Sequence, residues 1–202
     1  PYFITIRNGG SQHLEVVKDG NEQVVRARFV DAAYFIKEDI TKPLEAYIPL
    51  LTSLTFQKKL GSMLDKSRRV EALVQKILIT VEANPEQRAT ALRAAQLCKA
   101  DLATQMVVEM TSLQGIMGQF YAGRSGESAA VGEAIFEHYL PRYSGDSSPK
   151  TLPGLVVGIA DRLDTLIGLF SANLAPTGTK DPFALRRSAL GLAQNLIAWD
   201  MQ

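Results

Sequence analysis

The sequence predicts a mainly α-helical bundle with a small β element at its N-terminal edge. Three observations carry this. An amphipathic stripe runs from Leu60 to Val81, and further helical segments follow it, punctuated by Asn84-Pro85, Pro141 and Asp181-Pro182. Only Tyr2–Arg7 alternates apolar and polar side chains clearly enough to read as a strand. The 202 residues are 46% hydrophobic and 21% charged, enough chain to bury a core without staples.

The elements follow in order. Tyr2–Arg7 meets Asn8-Gly9-Gly10, a strand ending in a turn, and Leu14–Val17 before Asp19-Gly20-Asn21 reads as a second short strand. Helical spacing then starts: Val24, Ala27, Val30, Ala33 and Phe35 recur with charged residues between them, Asn21 is the N-cap, and Pro43 opens the next piece. In Leu60–Val81 the stripe is Leu60, Leu64, Val70, Leu73, Val74, Ile77, Leu78 and Val81. Pro85 suits a first helical turn, and the periodicity after it runs on through Lys99-Ala100-Asp101 to Met110. Leu113–Tyr121 is a stretch with two glycines, ended by the break Ser125–Ser128. Val131–Leu140 is a short helix stopped by Pro141, and Ser144–Pro149 is a loop. Leu155–Leu174 is so apolar that it belongs at the centre of the bundle, and Asp181 caps a last helix, Phe183–Trp199.

Composition narrows the functions. One cysteine, Cys98, forms no internal disulfide and points to a reducing compartment, and its default state is a buried, inert thiol. Two histidines, His13 and His138, exclude a His-rich metal site; His138, late in a helix, reads as solvated or facing the helix dipole. No apolar run approaches the ~18 residues that span a bilayer, and the N-terminus lacks the pattern of a signal peptide. A soluble, cytoplasmic protein is expected, and the missing initial Met suggests a piece of a longer chain. A net charge of +1 gives no strong global attraction to nucleic acid, although local basic patches remain open to it.

Two constellations could carry chemistry. Asp101, Asp161 and Asp164 interrupt apolar helical patterns, and the last two, three residues apart, share a helix face. They read either as a carboxylate metal site or acid/base pair, or as partners of Arg162, Lys99, Lys66, Arg186 or Arg187. The loop Pro176–Pro182 opens onto a helix start and offers N–H groups to an anion, but Asp181 puts a negative charge at the same place.

The residues around Leu97-Cys98-Lys99-Ala100-Asp101-Leu102 carry a family resemblance. With Ala27–Ala32, Phe56–Lys66, Leu113–Gly118, Glu137-His138-Tyr139, Ala160–Thr165 and Asp181–Arg187, they resemble in order the central part of the β-subunit of the bacterial two-subunit (α2β2) glycyl-tRNA synthetase. The resemblance implies a fragment of a longer subunit: 1–18 as a β element or linker from a preceding domain, and 19–202 as a helical domain of HD type. Metal-dependent HD domains use a His, a His-Asp pair and a final Asp. Matching places Lys66 at the first His, Ala100-Asp101 at the pair and Asp161 at the last Asp, so no metal and no catalytic residue is expected. Lys66, with Lys99, would stand in for the ion against Asp101 and Asp161.

The resemblance further implies a part that holds glycine tRNA against the α-subunit, which uses the ATP and magnesium, with no cofactor in this stretch. Lys58, Lys59, Arg68, Arg69, Arg124, Lys180, Arg186 and Arg187 are the candidate RNA contacts. Two alternatives stand beside this: an assembly module that touches the α-subunit or other β domains without RNA, its sign being exposed Met110, Met117 and Phe120, and an active metal-dependent HD phosphohydrolase.

Overall fold

The computed structural model describes residues 2–201. It is helical throughout, with one minimal sheet. Helix α1 (Leu14–Asp39) opens it. A 3-10 segment, Leu44–Ser53, follows Pro43 and leads into the antiparallel pair β1 (Thr55–Gln57) and β2 (Gly61–Ser62). Then come α2 (Met63–Thr80) and α3 (Pro85–Leu97). A 3-10 turn, Ala100–Ala103, precedes α4 (Gln105–Glu109), α5 (Ile116–Arg124) and α6 (Ala129–Glu137). The chain closes with α7 (Leu152–Ser171) and α8 (Leu185–Ala198).

The caps explain most of the boundaries. Ser62 and Asp65 form a reciprocal capping box at the start of α2, as Asn84 and Gln87 do at α3, where Pro85 fills the first helical position. Thr104, Ser128 and Thr151 cap α4, α6 and α7 through their side chains. Glu137, buried at the end of α6, accepts from the N–H groups of Lys150 and Thr151, so one carboxylate joins the end of α6 to the start of α7.

The β element is not where the sequence pattern put it. Tyr2–Arg7 joins no strand, and Leu14–Val17 belongs to α1, which runs on without a break through Gly20-Asn21. Leu14 to Lys18 are adequate helix formers, and one glycine costs only about 1 kcal/mol within a helix. The observed strands span the turn Lys58-Lys59-Leu60, where β1 and β2 together supply five residues. The expected last helix starts later, at Leu185, and Asp181 holds it from a distance, accepting from the N–H groups of Leu185 and Arg186 at 2.8 and 2.9 Å.

Helix α7 is the axis of the bundle. It packs on α2, α3, α6 and α8, and every residue from Pro153 to Ala160 is buried. The apolar stripe of α2 reaches the core through Val70, Val74 and Leu78, all buried. Its C-terminal half exchanges apolar residues for Asp161, Arg162 and Asp164, and the candidate site forms there.

Candidate functional site

The site is a buried ion-pair cluster around the middle of α7. Lys66, from α2, is 3% exposed; its ammonium lies 3.0 Å from Asp161 Oδ1 and 3.1 Å from Asp164 Oδ2, and donates to Thr165 Oγ1 at 2.7 Å. Lys99, beyond the end of α3, is also 3% exposed and donates to Asp161 Oδ2 at 3.1 Å. Arg69 closes the outer side, both its Nε and its Nη2 donating to Asp164. Burial alone would raise the Asp161 carboxyl, but the Lys66 and Lys99 ammoniums outweigh it and hold that carboxyl well below the usual carboxylate range.

His138 belongs to the same cluster, contrary to the solvated role read from its position. It is fully buried, its Nδ1 lies on the Ile135 carbonyl, and its Nε2 sits 2.9 Å from Lys99 Nζ. The carbonyl and the ammonium together assign the tautomer: Nδ1 donates and the Nε2 lone pair accepts. Burial, then the charge on Lys99, pushes the imidazole well below its ordinary value, so the ring is neutral. The Lys99 ammonium also lies 4.3 Å from the centre of the Tyr139 ring.

Asp101 is adjacent but turned away. Its Oδ2 accepts from the N–H groups of Gly115 and Gly118 at 2.6 and 3.1 Å, which anchors the first turn of α5. Its Oδ1 has no partner, and burial pushes the carboxyl up to about 6. The expectation that Lys66 balances Asp101 as well as Asp161 is therefore corrected: its second carboxylate is Asp164. Helical phase explains the choice, because Asp161, Asp164 and Thr165 share the face of α7 that meets α2. Ala100, at the remaining position, is fully buried.

This donor set does not fit a divalent cation. Two ammonium groups occupy the space beside Asp161, Ala100 supplies no ligand, and the one imidazole has both ring nitrogens engaged. Among the described residues, no group of three or more His, Cys, Asp or Glu converges on a metal-binding point. Cys98 lies beneath, its thiol pushed up to about 12 by burial against the opposing pull of Lys99, and it is inert.

The candidate RNA contacts divide by location. Lys58 and Lys59 lie in the β1–β2 turn and Arg68 is exposed on α2, whereas Arg69 is committed to Asp164. Lys180, Arg186 and Arg187 are exposed around the start of α8. Arg186 donates to the Gly178 carbonyl, and Arg186 and Arg187 form no bridge to Asp161 or Asp164. Arg124 lies apart, lining a separate cavity with Asp39, Lys42 and Tyr47. The sequence reading missed His138 as a member of the cluster, and it offered Arg162 as a partner of the aspartates, whereas that guanidinium donates to the carbonyls of His138, Gly158, Tyr139, Leu140 and Pro141.

Fold and cluster together define a helical domain whose charged interior is balanced by its own lysines and arginines. Comparison with known proteins supplies the family. The profile described as glycyl-tRNA synthetase beta subunit matches residues 1–202, and the chain belongs to that family. It is 51% identical over 199 residues to the glycine--tRNA ligase beta subunit of Trichodesmium erythraeum, covering 98% of this chain and 27% of that one. The Moorella thermoacetica protein of the same name is 48% identical over 202 residues, 100% of this chain and 29% of its own. That of Marinobacter nauticus is 50% identical over 197 residues, 98% and 28%. The chain thus spans less than a third of the length of these relatives.

Proposed function

We propose that this chain is a central, HD-type helical part of a glycine–tRNA ligase β subunit, and that it helps hold glycine tRNA for an α-subunit that performs the ATP- and magnesium-dependent glycylation. In this reading it catalyses no step and works in the cytoplasm. The observation that carries it, beside the family, is the distribution of exposed basic side chains. Lys58, Lys59 and Arg68 lie on the β1–β2 turn and α2, and Lys180, Arg186 and Arg187 lie just before and at the start of α8, and both helices pack on α7. Long exposed cations on two helices packed against one axis suit the phosphates of an RNA helix, which is recognised by shape more than by base edges. The phosphohydrolase alternative has no support in a donor set that excludes the metal. No helix of the described residues is long and apolar enough to cross a membrane.

The test is binding of the chain to glycine tRNA and to an unrelated tRNA at low and moderate salt. Affinity that falls steeply with salt supports phosphate contacts, and the slope bounds their number. Preference for glycine tRNA supports specific positioning. Absence of binding at low salt overturns the reading.

A second reading, assembly with other β domains or the α-subunit, has an observation of its own at a different place. The apolar sign expected for it fails at Met117, which is buried, and at Met110, which packs half-buried against the core, while Phe120 is 40% exposed. Instead, α1 exposes Val24, Phe29 and Val30 by 62%, 69% and 65%. Such a helix is suited to a protein partner, and the two roles occupy different parts of the molecule.

A further inference from the structure

Eleven of the twenty-two large apolar side chains exposed among the described residues belong to residues 2–40, a fifth of the chain. Their densest run is Tyr2-Phe3-Ile4-Thr5-Ile6, uncharged and aromatic or β-branched at every position, a composition that favours a strand. Among the described residues, no N–H or C=O group of residues 2–7 bonds to another main-chain group, and the segment holds no helix or turn. Its side chains alternate. Ile4 and Ile6 are 92% and 99% exposed, whereas Phe3, Thr5 and Arg7 line a groove of about 680 Å³ against Leu14, Val17 and Val25 of α1. That period of two belongs to a strand laid with one face on a helix and the other in water. Arg7 is fixed at the groove by its own loop, its Nη1 donating to the Gln12 carbonyl at 2.9 Å.

These observations narrow what covers the segment. Proteins blunt an open edge with charge or proline, and Tyr2–Ile6 contains neither, so left bare it is a site for edge-to-edge association. Its cover must supply main-chain donors and acceptors at strand spacing over successive residues. A helix spends those groups on itself, whereas another strand has them to offer. The matched relatives are more than three times as long as this chain, which covers 27% to 29% of them. A strand in the rest of the same subunit meets this edge at the high effective concentration of a linked segment, an advantage that a second copy lacks.

We infer that Phe3–Arg7 is a strand awaiting its partner, and that a β-strand from the rest of the same β subunit pairs with its open edge beside the α1 groove. The inference rests on the assembly reading above, and its test separates the two. Amide hydrogen exchange of residues 3–7 is measured at single-residue resolution in the full-length β subunit containing this chain, with and without the α-subunit, and in the isolated chain at several concentrations. The amides of one edge, Phe3, Thr5 and Arg7 or else Ile4 and Ile6, should exchange at least about a hundredfold more slowly in the full-length subunit than in the isolated chain. The slowing should be present without the α-subunit and independent of concentration. Successive N–H groups of a strand point to opposite edges, so at least one of Ile4→Pro and Thr5→Pro should restore fast exchange in the remaining amides. Unchanged exchange in α2 and α7 shows that the bundle of each variant is intact. Slow exchange that appears in the isolated chain as concentration rises assigns the edge to a second copy and overturns the inference. Slowing only with the α-subunit present overturns it equally, as do fast amides throughout or tolerance of both prolines. Capture of the remaining β-subunit segments with fast amides at residues 3–7 keeps the assembly reading and overturns the strand alone. Neither capture nor slow exchange overturns both.

Discussion

Lys66 stands between two carboxylates with its ammonium almost wholly removed from water, so its worth is set by what its removal would leave behind. In Lys66→Met the apolar stem is retained, while Asp161 keeps only Lys99 and Asp164 only Arg69. Breaking a buried pair from one side typically costs about 3–5 kcal/mol, because the other charge stays buried and under-compensated. Lys66→Met should lower unfolding free energy in urea by about that amount, far more than Arg68→Met on the exposed side of the same helix; equal melts would show that the cluster is not structural. The neighbouring pair Asp101 and His138 gives a pH signature. The Asp101 carboxyl is raised by burial from 3.8 to about 6, so between those values the native chain holds a proton that the unfolded chain has released, and stability falls as pH rises through that window. His138 is depressed by burial and by Lys99, so below its ordinary value of 6.5 the unfolded chain takes up a proton the native chain refuses, and stability falls as pH drops. The two slopes oppose each other between about pH 4 and 6. Asp101→Asn keeps an oxygen for Gly115 and Gly118, and its stability relative to the parent should rise with pH across that window by about 2–3 kcal/mol. His138→Gln should change in the opposite sense. Urea titrations at pH 4, 5, 6 and 7 check both, and variant curves parallel to the parent's would refute the assignment.

At the scale of elements, what the sequence disclosed follows from how local each signal is. The α2 stripe, the Asn84-Pro85 start of α3, the Ser125–Ser128 break and the apolar α7 were legible because period and caps act over a few neighbouring residues. The 3-10 turn at Ala100–Ala103 was not. Its sequence keeps a helical pattern, and the break there is held by distant groups: Asp101 reaches forward to Gly115 and Gly118, and Asp39 at the end of α1 accepts from the N–H groups of Gln105 and Met106. Gly115 is a related case. Its φ of +79° and a Tyr139 ring carbon 2.5 Å from where a Cβ would lie both require glycine, but the ring arrives from beyond the end of α6. The candidate site divides in the same way. Spacing placed Asp161 and Asp164 on one face, and matching drew in Lys66. Nothing local could show that His138, from a different helix, would supply Lys99 with an acceptor, or that Asp101 would face α5. The misplaced β element has the same origin: alternation at Tyr2–Arg7 is a local signal, and a strand exists only where a partner completes it.

The whole molecule is asymmetric in how it is held together. The bundle around α7 is dense, whereas α1 is fastened mainly at its C-terminal end. There Asp39 is 2% exposed and accepts from Tyr121 as well as from α4, and Ala32, Phe35 and Ile36 pack against the core. Towards its start the helix exposes Val16, Val24 and Phe29, and Tyr2, Ile4 and Ile6 before it are almost fully exposed. Water-facing valine and phenylalanine contribute little to folding, since the area they remove from water is small. The double variant Val24→Lys, Phe29→Glu should therefore leave the unfolding free energy of the chain within about 0.5 kcal/mol of the parent. A larger loss would mean that α1 packs on the bundle in solution, and that its apolar face is core. Under the assembly reading, the same substitutions should weaken capture of the α-subunit or of the remaining β-subunit segments, while glycine tRNA affinity changes little, because the proposed RNA contacts all lie outside α1. Loss of tRNA affinity in this variant, with the fold intact, would place RNA on α1 and overturn the proposed separation of the two roles.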